Sequence, residues 1–259
     1  APSGKRSGEE TLFDWIVSDF GLNDAIESGL VKTPRVVIRD DALPDAKTYK
    51  SRLYHIYNDP DVKTDLNRRA KPEEPLPSLV MNAYYLLGYD WRETYKAWQK
   101  AKMQTPPVMI TVCNRTETAA RVKHAFDRKQ IDIDELCEPG CILHIDSKVL
   151  AEAEARDEPV TPISNSTEGD GGDQSGTKLT KTQRAELLRQ MVDTIGRPNT
   201  PGAQIRNVIS VGMLSEGWDA KTVTHIMGLR AFTSQLLCEQ VVGRGLRRTS
   251  YEINSETGL

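Results

Sequence analysis

The chain has 259 residues, 38% of them apolar, and a formal net charge of −3 from 34 Lys and Arg against 37 Asp and Glu. That is enough for one large domain or two small ones, and it excludes attraction to nucleic acid through bulk positive charge, leaving only a local basic patch. No apolar run approaches the roughly 20 residues that cross a bilayer, and four scattered cysteines (113, 137, 141 and 238) make no disulfide framework, so a cytoplasmic protein is expected.

The N-terminus, Ala1-Pro-Ser-Gly-Lys-Arg, has neither an initiating Met nor an apolar leader and reads as a cut piece of a longer protein. Residues 20–29 and 42–57 read as helices on either side of a short strand at 35–39. A long helical stretch follows at 76–104, with a bend expected near Gly88. Within it Tyr84, Leu87, Trp91, Tyr95 and Trp98 recur at helical spacing, which marks them as packing residues rather than a base-stacking platform. Residues 107–113 form a buried-strand run. After it, Asn114 and Glu117 stand at capping-box spacing before a helix to about Lys129, with Ala119, Val122 and Phe126 inward. Residues 141–145 read as the next strand. Cys137, Cys141 and His144 have metal-like spacing, but Cys141 and His144 fall on opposite faces of that strand, and no metal site is assigned.

Residues 151–178 break the pattern. Seven acids stand there against Arg156 and Lys178, among two Pro, four Gly and four Ser or Asn, too little apolar surface to offset the entropy of ordering them. They read as a mobile acidic insertion of net −5, so the rest of the chain carries about +2. Beyond it Thr180 and Gln183 start a helix with Leu187, Leu188, Met191, Val192 and Ile195 on one face, stopped by Gly196 and Pro198. Strands at 205–211 and 223–229 and a helix at 234–242 follow. Alternating strand and helix predict an α/β fold, a mainly parallel sheet flanked by helices, behind a helical N-terminal extension. Two parts are expected: a linker region at 1–104 and a sheet domain at 105–259.

Chemistry concentrates in two stretches. Ser215-Glu-Gly-Trp-Asp219 follows a strand, where ligands of open parallel sheets sit; Gly217 permits close backbone approach and Asp219 offers a carboxylate to a sugar hydroxyl. Then comes Gln240-Val-Val-Gly-Arg-Gly-Leu-Arg247. On one helix Gln240, Arg244 and Arg247 are i, i+4 and i+7 and share a face, with Cys238, Val242 and Leu246 opposite. Two guanidiniums and an amide converging on one point suit an anion with several oxygens. Gly243 and Gly245 imply close approach of the backbone to a neighbour, or the end of the helix. The loop and the arginine helix are expected to face one edge of the sheet.

These two stretches, in this order, resemble motifs V and VI of superfamily 2 helicases as found in the restriction (Res) subunit of type III restriction enzymes. The strand 108–113 with Asn114 and Arg115 stands where motif IV belongs, and 20–37 resembles the segment linking the two motor domains of such subunits. The resemblance implies a second RecA-like motor domain. Arg244 and Arg247 would then be arginine fingers toward ATP on the first motor domain, with Gln240 coupling the domains and Gly217 and Asp219 at the ribose or ordering the cleft. Asn114, Arg115 and Ser215 would face the nucleic-acid backbone, and the partners would be double-stranded DNA, the first motor domain and a modification methyltransferase subunit. ATP and Mg2+ would be held mainly by that first domain, because no Gly-x4-Gly-Lys-Ser/Thr loop and no strand-end acidic pair occurs here. With no nuclease constellation either, the fragment alone is expected neither to hydrolyse ATP nor to cut DNA. Two alternatives are the same motor half from a repair or remodelling helicase, and a non-catalytic nucleic-acid-binding or partner-docking domain that keeps the motor fold.

Overall fold

A computed structural model describes residues 21–35, 53, 55–145, 181–211, 220–231 and 235–251, with the side chains of 22, 181–185 and 235–240 excepted. The expected strand at 35–39, most of the helix at 42–57, the insertion, Thr180 and the 215–219 loop lie outside them.

Four strands, β1 (Val108–Cys113), β2 (Ile142–Ile145), β3 (Asn207–Ser210) and β4 (Val223–Leu229), form one sheet in the order β2-β3-β1-β4, every pair parallel. The fold is therefore α/β, a parallel sheet flanked by helices, as expected of a RecA-like domain. β1 lies centrally and is buried at every residue, which is why its sequence is an unbroken apolar run rather than an alternating one. Its register with β4 shifts by one residue between Val108 and Met109, so Val223 packs on one face of the sheet and Met227 and Leu229 on the other.

One face is covered by α2 (Pro60–Asn67), α3 (Ser78–Lys100), α4 (Thr116–Asp127) and α5 (Asp134–Cys137); α1 (Leu22–Glu27) lies outside both cores. Tyr84, Trp91, Val122, Phe126 and Leu136 meet Met109, Cys113, Ile209 and Met227 in a single core. The other face takes α6 (Lys181–Asp193) and α7 (Gln235–Leu246), where Val192, Ile195 and Val241 meet Ile110, Val112, Leu143 and Val208. Residues 56–100, read from sequence as a region preceding the sheet domain, thus share that domain's core.

Tyr84 and Trp91 of α3 are buried in this core and Leu87 and Tyr95 pack against it, as their spacing predicts, while Tyr89 is exposed. Trp91 is fully buried, stacks on Tyr95 with centroids 5.1 Å apart and donates its indole N–H to the Pro107 carbonyl at 3.1 Å. Tyr84 meets Phe126 edge-on and its hydroxyl lies 3.0 Å from Thr111 Oγ1. α3 runs without a break through Gly88, and the glycine makes room for Ile133, whose Cγ1 would lie 2.8 Å from an added Cβ.

The sequence reading misses α2, although its signals are present. Asp59 accepts from the N–H groups of Asp61 and Val62 at 3.1 and 3.2 Å, Pro60 stands at the first helical position, and Val62 and Leu66 are the buried i, i+4 pair. Two apolar residues in eight are too faint a period to stand out. In α6 Leu187 is 39% exposed, so the buried stripe is narrower than expected.

Candidate functional site

The described candidate residues fall at two places. Asn114 and Arg115 follow the carboxyl end of β1; Arg244 and Arg247 lie at the far end of α7, beside the amino end of β4. Because α7 follows β4 and packs back along it, Gly245 rests on Ile226, whose Cδ1 would be 2.9 Å from an added Cβ, with Val223 next to it. The arginines therefore sit toward the amino edge of β4, and not beyond the carboxyl edge where the sequence reading placed them. Gly245 is the close approach inferred from sequence; Gly243 faces open space.

The helix also ends sooner than the i, i+4, i+7 argument needs. Gln240 and Arg244 are within α7, which stops at Leu246, while Arg247 is already extended and paired in an antiparallel bridge with Val31. Arg244 is half-buried and Arg247 exposed. The buried side of α7 is carried by Val241 and Leu246, with Val242 only half-buried. The side chains of Gln240 and Cys238, and all of Ser215, Gly217 and Asp219, lie outside the described residues.

What holds the end of α7 is the segment 29–32, a contact no local pattern announces. The Lys32 N–H donates to the Leu246 carbonyl at 2.7 Å, and Arg248 Nη1 donates to the Gly29 carbonyl at 2.6 Å. The Lys32 ammonium donates to the carbonyls of Lys221 at 3.0 Å and Val223 at 2.7 Å. Burial disfavours its charge and pulls its pKa down to about 8. Lys221 is two residues past Asp219, so Lys32 joins the stretch leaving the Ser215–Asp219 loop to the arginine-bearing end of α7.

The carboxyl end of β1 is organised differently. Asn114 does not cap α4; the residue at the cap is Arg115, with no side-chain cap bond. Asn114 Nδ2 donates to the Leu66 carbonyl at 3.0 Å and to Asn67 Oδ1 at 3.2 Å, and its Oδ1 accepts from Thr118 Oγ1 at 2.8 Å. The Arg115 guanidinium reaches the Asn67 carbonyl and pairs with Glu117 at 3.2 Å. One turn further, Arg121 is 1% exposed on a face expected to be apolar. It donates to the carbonyls of Glu74 and Pro75, and its Nη1 lies 2.8 Å from Asp65 Oδ2, a charge contact off the hydrogen-bonding angle. Burial alone would raise the Asp65 carboxyl, but Arg68 and Arg121 outweigh it and hold it below its ordinary value. Both predicted backbone-contacting residues are thus engaged in fastening α2 to the sheet.

A third polar cluster joins α3 to β4. His225 is buried; its Nε2 lies 3.0 Å from Asp90 Oδ2 and its Nδ1 2.8 Å from Thr224 Oγ1. Burial lowers its pKa against the opposing pull of Asp90, so the ring is neutral at pH 7, donating from Nε2 and accepting at Nδ1. Arg35 pairs with the same Asp90 at 3.5 Å. Cys137 donates to the Ile131 carbonyl, and burial pushes its thiol up to about 11; Cys141 lies 3.8 Å from Glu138. Among the described residues no group of three or more His, Cys, Asp or Glu is placed to hold a metal ion, and no helix is long and apolar enough to cross a membrane.

Neither the protein-family models nor the curated proteins contain a match to this chain.

Proposed function

We propose that this chain is the second motor half of an ATP-dependent DNA helicase or translocase resembling the Res subunit of type III restriction enzymes. One observation carries the reading. The Ser215–Asp219 stretch lies in the β3–β4 connection and the Gln240–Arg247 stretch on the helix after β4, and Lys32 ties the chain that leaves the first to the end of the second. The chain two residues past the first pattern and the end of the helix that carries the second are thereby joined.

In this reading Arg247, exposed just past the end of α7, meets the charge that develops on the transferring phosphoryl, and Arg244 one turn earlier steadies the γ-phosphate. Gln240 on the same helix couples the two motor halves, and Gly217 and Asp219 border the ribose. ATP and Mg2+ are held mainly on the first motor domain. Double-stranded DNA lies toward Asn114, Arg115 and Ser215, and a phosphate contact by Asn114 or Arg115 requires it to give up part of its hold on α2. A cytoplasmic location follows from the cysteine usage, and a methyltransferase partner from the same resemblance.

The test uses the protein in which this chain is joined to its nucleotide-binding domain. Arg247→Ala should lower DNA-stimulated ATP turnover by about 10³-fold or more with nucleotide binding retained. Unchanged turnover would overturn the reading, and the lack of a phosphate loop in the preceding sequence would favour a binding domain instead.

A further inference from the structure

Residues 29–35 form a strap across three elements far from them in sequence. Gly29 leaves α1 with φ +70°, a conformation open to glycine at little cost, and its carbonyl takes the Arg248 guanidinium. Val31 then bridges Arg247 and the Lys32 N–H closes on the Leu246 carbonyl. The Lys32 side chain turns the other way, into the start of β4, and Arg35 reaches Asp90 on α3. The strap touches the backbone of the proposed finger residue itself, and through one residue, Lys32, it reaches both α7 and the start of β4.

We propose that Lys32 is a positioning residue for Arg247. Its two ends perform separate tasks. The backbone N–H pins the carbonyl of Leu246, the last residue of α7, and the ammonium pins the carbonyls of Lys221 and Val223, fixing the end of the helix against the chain that emerges from the Ser215–Asp219 stretch. An ammonium carries three donors, so one lysine bonds both oxygens, including that of Val223 in the part-buried start of β4, with a donor to spare. An apolar residue of the same length fills the space and satisfies neither. With the ammonium gone, Arg247 keeps its guanidinium but its helix end loses its register with the start of β4, and a finger displaced by about an ångström loses most of its effect on the transition state.

This role rests on the motor reading above, and the experiment separates the two. Lys32→Met, Lys32→Arg and Arg247→Ala are compared for DNA-stimulated ATP hydrolysis in the protein carrying both motor domains, with amide exchange followed over residues 244–248. Lys32→Met should lower kcat by roughly ten- to a hundredfold with little change in KM, speed exchange over 244–248, and be largely rescued in Lys32→Arg, whose guanidinium can serve the same carbonyls. If Arg247→Ala loses turnover while Lys32→Met keeps it, positioning is overturned and the motor reading stands. A loss in Lys32→Met with no change in exchange also overturns positioning, because the strap would not be the route. If Arg247→Ala keeps full turnover, the motor reading falls and this role with it. Should Lys32→Met not fold, Lys32→Gln, whose amide reaches at most one of the two carbonyls, is read by the same criteria.

Discussion

The two ends of the sheet that carry candidate residues differ in what holds those residues. At the carboxyl end of β1, polar side chains do the fastening: Asn114, Thr118, Arg115 and Arg121 converge on the end of α2 and the turn after it. At the end of α7 the candidate arginine is itself held by main chain, through the Val31–Arg247 bridge and the Lys32 N–H on the Leu246 carbonyl, while the Lys32 ammonium and the Arg248 guanidinium hold the carbonyls of Lys221, Val223 and Gly29 around it. Side-chain fastening commits a residue's chemistry to the fold. Backbone fastening fixes where Arg247 stands without depending on its guanidinium. Sequence motifs carry no sign of this difference, because a polar residue at a strand end reads the same whether it faces a ligand or a neighbouring helix.

The comparison can be broken by substitution, and the largest expected effect is at Arg121. Arg121→Met leaves Asp65 with Arg68 alone and the carbonyls of Glu74 and Pro75 without their buried donor, which should destabilise the protein by about 3 kcal/mol in chemical denaturation. A loss under about 1 kcal/mol would show that α2 is held by its apolar pair instead. Asn114→Ala comes next, at about 1–2 kcal/mol, since it deletes the hydrogen bonds to Leu66 and Asn67 at the end of α2 and the one from Thr118. If Asn114→Ala weakened DNA binding with stability intact, the residue would belong with the ligand and the contrast between the two regions would fail.

Smaller effects are read through pH. The folded-state pKa of His225 lies below its ordinary 6.5, so the unfolded chain binds more protons there, and stability should fall as pH drops from about 7 through 6. His225→Gln should flatten that slope in thermal melts; an unchanged slope would mean another group titrates. Lys32 is read at the alkaline end of the scale. Its folded value of about 8 against 10.5 means that the cost of burying its charge is fully present below pH 8 and is relieved as pH rises toward 10.5. Stability of the parent protein should therefore gain on Lys32→Met between pH 8 and 10, and parallel profiles would show that the ammonium is solvated.

The strands, α3, α4 and α6 were legible because each carries its own period or apolar run within a few residues. β4 was read to the residue, and the parallel sheet followed from the alternation of elements. Nothing of that kind announced α2, with one buried i, i+4 pair, or the burial of Arg121, whose partners lie 46 and 47 positions away. The amphipathic reading of α7 placed Gln240, Arg244 and Arg247 on one face by assuming that the helix continued. It stops at Leu246, where Val31 and Lys32 offer the next residues a strand-like pairing.

Sequence alone determined the α/β class, because hydrophobic period and residue type are local properties. Only the tertiary structure decided what the candidate residues meet. Asn114 and Arg115 turn to α2 about 48 positions away, and the end of α7 is held by a strap from 189 to 219 positions away, across separations where a carbonyl and its donor find each other only once the sheet has formed.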